Sequence, residues 1–317
     1  MPSARRTGVA RRPLVRVIAL AVASLAVLAM GAGVAAGPAT ASPRTVVPHY
    51  RHVVLVVMEN LGYAAATSYP GYQALAHRYA SASDSYAASH PSLPNYLDLV
   101  GGSTFGIGSD CTTCYVRADN LGAQLSAHRL SWGDYSEGVP GPCFLGPYAN
   151  EYAGKHNPFR YFTDIRRSRR LCKHLLPLGS LTSALARHPS AVPSFSFVTP
   201  NMCHDGHDCS PDTAFRWLAG FVATVTGSPA WKGGGLLVVT WDESDTGDSS
   251  QVLPSGAVVG NGGGHVATLL IAPGVPQGTV VTSPISDASL LATVEHNFRL
   301  PYLLGASRWA GHTLVLP

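Results

Sequence analysis

No acidic residue occurs among the first 41 positions, although Arg5, Arg6, Arg11, Arg12 and Arg16 all fall there. An apolar run from Val17 to Met30 follows, and small residues lead to Ala39-Thr40-Ala41. A basic start, an apolar middle and an A-x-A end are the three parts of a secretory leader. Also missing is an apolar run of the roughly 20 residues that a membrane-spanning helix needs. Residues 1–41 therefore read as a signal peptide, by the general or, with Arg11-Arg12, the twin-arginine route, with an uncleaved anchor the alternative, and the mature protein as secreted. Once the leader is set aside, an excess of charge is missing too: 22 − 5 leaves 17 basic residues against 18 acidic ones. A chain so nearly neutral carries no nucleic-acid footprint at the level of net charge, and no such partner is expected.

Residues 42–317 show no Ser/Gly/Pro linker, charge block or internal repeat, so they read as a single domain. A second C-x-x-C is absent, which leaves Cys111-Thr-Thr-Cys114 without the other half of a zinc site. Six cysteines in an exported chain point instead to disulfides. Chain order favours three local pairs out of fifteen possible pairings: Cys111–Cys114, Cys143–Cys172 and Cys203–Cys209. No G-x-S-x-G elbow is present, and its absence argues against a Ser-His-Asp esterase.

What the sequence does have is a set of continuous apolar runs, each with a polar end. His52–Val57 leads into Met58-Glu59-Asn60. Ser194–Val198 leads into Thr199–Asp208, and Leu236–Thr240 into Trp241-Asp242-Glu243. A fourth run, His265–Ile271, follows Gly262-Gly263-Gly264 and stops at Pro273-Gly274. Runs without polar alternation suit strands covered on both faces. Helical spacing over 71–82, 120–128, 178–187, 213–226 and 286–298 separates them, which predicts an α/β fold, doubly wound, with a mainly parallel sheet and helices on both faces. The stretch 104–170, rich in Gly, Pro and aromatics and holding three of the six cysteines, with Cys172 just beyond it, reads as a disulfide-stapled insertion over one side of the sheet.

In such sheets ligands bind beyond the carboxyl ends of the strands. Glu59 with Asn60, and Asp242 with Glu243 and nearby Asp245, would repel one another at one sheet edge unless a cation lay between them. Oxygen donors of this kind suit a divalent metal ion, whose identity stays open. Within Ser89–Tyr96, Pro94 fits the first turn of a helix, which would set Ser92 at a helix N-terminus where free N–H groups favour an anion. Ser92 is then the candidate nucleophile, with Asn95 a donor to a phosphoryl oxygen; the alternative is that Ser92 is only an N-cap. His204 or His207 is the candidate acid for a leaving alkoxide, and either could instead bind a second metal. Lys155-His156, His90 and His265 are candidate contacts to substrate.

Five segments, in this order, resemble the phosphoesterase family of bacterial secreted acid phosphatases and phospholipases C, within the alkaline-phosphatase-like superfamily. They are Met58-Glu59-Asn60, His90–Tyr96, Tyr152–Pro158, Pro200–Asp208 and Thr240–Glu243. The resemblance implies that Glu59, Asn60, Ser92, Asp242 and Glu243 surround a metal and that Ser92 is phosphorylated in turn. It also implies a phosphomonoesterase on small-molecule or lipid esters such as phosphoinositides or nucleotides. A phospholipase C or phosphodiesterase on the same site is the alternative, ahead of a non-catalytic binding protein. Membrane contact follows only for a lipid substrate, and no feature calls for an obligate protein partner. Where family members often carry a late histidine, this chain has Ile285-Ser286-Asp287, which leaves His265 to take over part of that role.

Overall fold

An all-apolar strand folds only if both of its faces are covered, and β1 (His52–Met58) meets that condition residue by residue. Val53, Leu55 and Val57 enter one buried cluster, and Val54, Val56 and Met58 enter a second on the opposite face. The computed structural model describes residues 49–245, 251–252, 258–259, 262–314 and 316; the expected signal peptide, 1–41, lies outside these residues. The described residues belong to one compact unit, Val46–Pro317.

Eight strands form the main sheet. With β2 (Ala80–Ala82), β3 (Trp132–Ser136), β4 (Leu175–Pro177), β5 (Phe195–Thr199), β6 (Gly235–Trp241), β7 (Thr268–Ile271) and β8 (Val280–Val281), the order is β8-β2-β7-β6-β1-β5-β3-β4. From β6 to β4 every neighbour is parallel. β7 runs antiparallel to both β6 and β2. Six helices matter below: α1 (Pro70–Arg78), α2 (Ser92–Gly101), α3 (Leu121–Ala127), α4 (Leu178–Leu185), α5 (Pro211–Gly227) and α6 (Asp287–Phe298). Local chemistry sets their ends. The Asn120 side chain accepts from Ala123 N–H at the start of α3, Ser210 does the same for α5 ahead of Pro211, and Ser286 with Ser289 forms a capping box for α6. Gly102, at φ +70°, closes α2 in the left-handed conformation that suits glycine.

Three sequence expectations change. The helix expected over 71–82 ends at Arg78, because Ala80–Ala82 pairs into the sheet as β2. The run His265–Ile271 is two strands: Gly264–His265 joins a small sheet with Ser85–Ala87 and Ile285–Ser286, and only Thr268–Ile271 reaches the main sheet. The stretch 104–170 is more than an excursion, since it supplies β3, flanked by β5 and β4. β3 escapes an apolar-run reading because it is Trp-Gly-Asp-Tyr-Ser, yet all five residues are buried. The three expected disulfides are present.

Away from the strand ends the interior holds further acids. Burial pushes Asp98 in α2 up to about 7, with Arg308 opposing, and pushes Glu295 in α6 up to about 8, with the bond from Leu303 N–H opposing. Both groups hold their proton more tightly folded than unfolded, so their contribution is complete below about pH 4 and is lost as pH rises through the folded values. Thermal unfolding followed by circular dichroism should show a midpoint that falls from pH 5 toward pH 8. Glu295→Gln, which keeps an acceptor for Leu303, should flatten that decline by about a few degrees. A midpoint that rises steadily from pH 5 to 8 would contradict this assignment.

Candidate active site

The order of the parallel strands decides where the chemistry sits. β1 lies between β5 and β6, so the segments leaving their carboxyl ends converge. Met58 is in register with Trp241, which makes Glu59 and Asp242 neighbours across the strand boundary. The backbone seals the junction: Asp242 N–H donates to Met58 O at 2.9 Å and Glu59 N–H to Asp205 O at 3.0 Å. Asn60 then turns into the left-handed region at φ +49°, a conformation Asn tolerates better than most residues. That turn aims its N–H at Asp242 Oδ1 at 3.1 Å, while Gly62 N–H reaches Asp245 Oδ1 at 3.0 Å.

Ser92 opens α2, with Pro91 at the cap position and no side-chain cap, so its hydroxyl is not spent on capping. Instead Oγ lies 3.1 Å from Glu59 Oε2 and 3.3 Å from Glu243 Oε1, and it accepts from Lys155 Nζ at 3.3 Å. Asn95, the expected donor to a phosphoryl oxygen, is engaged with the backbone instead. Its amide accepts from Ser89 N–H and donates to the Ser89 and Pro91 carbonyls, so it clamps the segment before Ser92 rather than offering a donor to a phosphoryl oxygen. His90 Nδ1 contacts Glu243 Oε2. Gly263 knits the two parts: it donates to Ala87 O and accepts from Ser244 N–H, and a Cβ there would overlap the Ser89 carbonyl oxygen.

The histidines separate cleanly. His156 is buried, with Nε2 3.0 Å from Glu59 Oε1 and Nδ1 3.2 Å from Asp205 Oδ2, and its ring stacks on Tyr96 at 5.1 Å. His207 Nε2 lies 3.2 Å from Lys155 Nζ, and its Nδ1 is 2.7 Å from Asp208 Oδ1. An ammonium can only donate, so Nε2 is the acceptor and the imidazole proton sits on Nδ1. His204, the other candidate acid, is turned away: it pairs with Glu137 at 2.9 Å and stacks on Trp217. His265 is sandwiched between Tyr63 and Tyr86, with Nε2 3.0 Å from the Ser83 carbonyl oxygen, which is a structural setting rather than a substrate contact. Three members went unread in the sequence: Tyr96, whose hydroxyl donates to Glu59 Oε1 at 2.8 Å; Asp205; and Asp110, 3.1 Å from Lys155 Nζ.

The electrostatics follow from burial. Burial alone would raise Glu59, but the charge and hydrogen bond of His156, with Lys155, bring it down to about 2. Burial likewise works against a charged His156, and Glu59 and Asp205 overcome it, lifting the imidazole to about 9. Asp242 goes the other way: burial, then the charges of Glu59 and Glu243, push it well above the carboxylate range. Glu243 is raised by burial, with His90 opposing. Asp242 Oδ2 is buried and has no hydrogen-bond partner.

An unpartnered buried carboxylate oxygen beside two more acidic side chains is a poor arrangement by itself and a good one around a cation. Among the described residues no three of His, Cys, Asp and Glu stand together as a ready cage. Any ion here would draw on Asp242 Oδ2, Glu59 and the Ser92 hydroxyl oxygen, a set of hard oxygen donors. A cavity of about 620 Å³, lined in part by Glu137, Arg216, Trp217 and Phe221, includes none of the side chains around Ser92.

The model of the phosphoesterase family matches residues 55–301. The chain is 33% identical over 298 residues to the phosphatidylinositol-3-phosphatase of Mycobacterium tuberculosis, covering 92% of this chain and 91% of that one. It is 28% identical over 265 residues to the acid phosphatase of Aspergillus fumigatus, covering 80% of this chain but only 55% of that protein's length. Among solved structures, a protein of the alkaline phosphatase superfamily from Vibrio parahaemolyticus superposes with a TM-score of 0.53 at 10% identity, over 83% of this chain and 71% of that one.

Because His207 stands beside Lys155 while His204 faces Glu137, the two histidines should differ in mutagenesis. His207→Ala should lower kcat/KM on a phosphate ester by about a hundredfold, the scale of one lost proton donor. His204→Ala should cost less than about threefold on the same scale. Equal losses in the two variants would remove the distinction.

Proposed function

The chain belongs to the phosphoesterase family, and from that footing we propose that it is a secreted, metal-dependent phosphomonoesterase that works through a phosphoserine at Ser92. The observation that carries this reading is the Ser92 hydroxyl, buried at the start of α2 between two carboxylates and an ammonium. The phosphatase names of the relatives support monoester hydrolysis, and the Mycobacterium tuberculosis relative makes phosphoinositides a substrate class to test. The fungal relatives are longer proteins, of which this chain spans 55% and 59% in two cases, so substrate choice need not follow them. Three disulfides fit an oxidising compartment, and export by the 1–41 leader completes that part of the proposal.

The chemistry proceeds from groups already in place. Glu59 is ionised throughout the working pH range and accepts the Ser92 hydroxyl hydrogen, so it holds the oxygen's lone pairs toward an incoming phosphorus. As the oxygen attacks, its proton passes to Glu243, whose Oε1 is 3.3 Å away and whose carboxyl burial makes more basic. Lys155, kept charged against burial by Glu59 and Asp110, stabilises the oxygen and then the phosphoryl charge that builds on attack. Asp242, Glu59 and Ser92 Oγ, with Glu243 and Asn60 adjoining, are the groups that would hold a divalent ion, which supplies Lewis-acid activation of the serine and of a phosphoryl oxygen. Tyr96 and His156 fix the orientation of Glu59 from behind. His207, within 3.2 Å of Lys155, is placed to hand a proton to the leaving oxygen once its Nε2 is protonated. Water then hydrolyses the phosphoserine.

The test is hydrolysis of p-nitrophenyl phosphate beside bis-p-nitrophenyl phosphate by the mature chain, across acid to alkaline pH, with and without chelator. Monoester preference that chelation abolishes is expected, with Ser92→Ala leaving less than a few per cent of turnover, about the loss seen when a nucleophile is deleted. Diester preference would move the reading to a phospholipase C or phosphodiesterase. Retained turnover in Ser92→Ala would remove the phosphoserine.

A further inference from the structure

Asp110 lies eighteen residues beyond Ser92 in the chain, yet its carboxylate reaches the two groups best suited to a phosphoryl group beside that serine. Oδ1 accepts from Leu93 N–H, in the first turn of α2, at 3.0 Å. Oδ2 is 3.1 Å from Lys155 Nζ, the same ammonium that stands 3.3 Å from Ser92 Oγ. Two oxygens of one anion thus rest on one backbone donor at a helix start and one side-chain cation, each a charge-assisted contact of the kind phosphate esters make. A dianionic ester cannot occupy the same donors while this carboxylate remains on them.

The segment carrying Asp110 is uncrowded at two glycines on one side, either side of Ile107, which packs against the core, and tied down on the other. Gly106, at φ +71°, and Gly108 both face open space, with no atom within 4 Å of an added Cβ. On the far side the Cys111–Cys114 disulfide follows at once, and Thr112 O receives Arg160 Nη2 at 3.5 Å. The Asp110 side chain is 30% exposed against 12% for Lys155, so the anion, not the cation, is the partner open to exchange with solvent.

We infer that the Asp110 carboxylate is an internal stand-in for the substrate's phosphoryl group, resting on the amide and ammonium that the bound ester takes over and so setting how tightly the site holds phosphate. This rests on the reading of Ser92 as the nucleophile of a phosphomonoesterase. Asp110 sets affinity rather than choice of substrate in this account: it weakens the hold on any phosphate, the product orthophosphate included, by competing for the donors they share.

The test compares wild-type mature chain with Asp110→Asn, Asp110→Ser and Asp110→Glu, each first shown to unfold cooperatively. KM for p-nitrophenyl phosphate and the competitive inhibition constant of orthophosphate are measured for all four. Removing the charge should lower both constants together by about threefold or more, the scale of one competing charge-assisted contact, and Asp110→Glu should return both toward wild type. Constants that stay the same or rise in Asp110→Asn, in an active wild type, would overturn this inference alone and leave Asp110 as an orienting partner of Lys155. A wild type that neither hydrolyses the ester nor is bound by orthophosphate would overturn the Ser92 reading and this inference with it.

Discussion

Four carboxylates, those of Glu59, Asp205, Asp242 and Glu243, are buried together where three adjacent parallel strands end. Their mutual repulsion is the constraint on which the rest of the site depends. Uncompensated, a buried ionised group costs several kcal/mol even after relaxation, by about the scale general to protein interiors. The chain answers it by dividing the acids. Glu59 is made strongly acidic, against its burial, by a charged His156 locked beneath Tyr96, and Asp242 is made weakly acidic by burial and then by the charge of Glu59. Pairs of titratable groups whose surroundings drive them apart are the usual mark of a site with separate acid and base duties. The Ser92 hydroxyl sits between Glu59 and Glu243, where that division is made.

Much of this was legible beforehand because the strands that carry it are buried on both faces and therefore read as unbroken apolar runs. Glu59-Asn60 and Asp242-Glu243 stood out as charges at the ends of such runs, and the parallel neighbours β6, β1 and β5 bring them together. β3 was not legible, since Gly133 and Asp134 interrupt any apolar pattern, and its burial comes from its place between β5 and β4. Asn95 was misread for a different reason. Spacing puts it on the helix that starts at Ser92 but says nothing of the loop behind, whose Ser89 and Pro91 backbone groups consume its amide. The choice between His204 and His207 also had to wait for three dimensions. They are three residues apart on one tight loop, and only the fold shows that Glu137 draws one of them away. Gly262-Gly263-Gly264 looked like a strand boundary, whereas Gly263 is the close contact that fixes the carboxylate turn against the serine segment.

Family and fold carry different weight. The family match spans most of the chain and names the chemistry in general terms, while the structural likeness at 10% identity speaks to the fold alone. What the geometry adds is a division of labour within one short segment: Lys155 faces the serine, its neighbour His156 faces the acids, and Gly154, 2.7 Å from the Pro147 carbonyl oxygen through its N–H, holds the pair in place. A helix-long motif would have placed two such neighbours on different faces by periodicity; here a single 3₁₀ turn does it.

Arg160 has a role that reaches past its own position. Buried to 1% exposure, it donates to Leu145 O, beside the Cys143–Cys172 disulfide, and to Thr112 O, within the Cys111–Cys114 loop. One nitrogen of the guanidinium fork, Nη2, makes both bonds and so ties two disulfide-closed loops to one point. Lengthening either loop would lift a carbonyl off that fork and strand a buried charge, so the rim is free to vary in its outward side chains, such as exposed Tyr115 and Tyr148, far more than in its length.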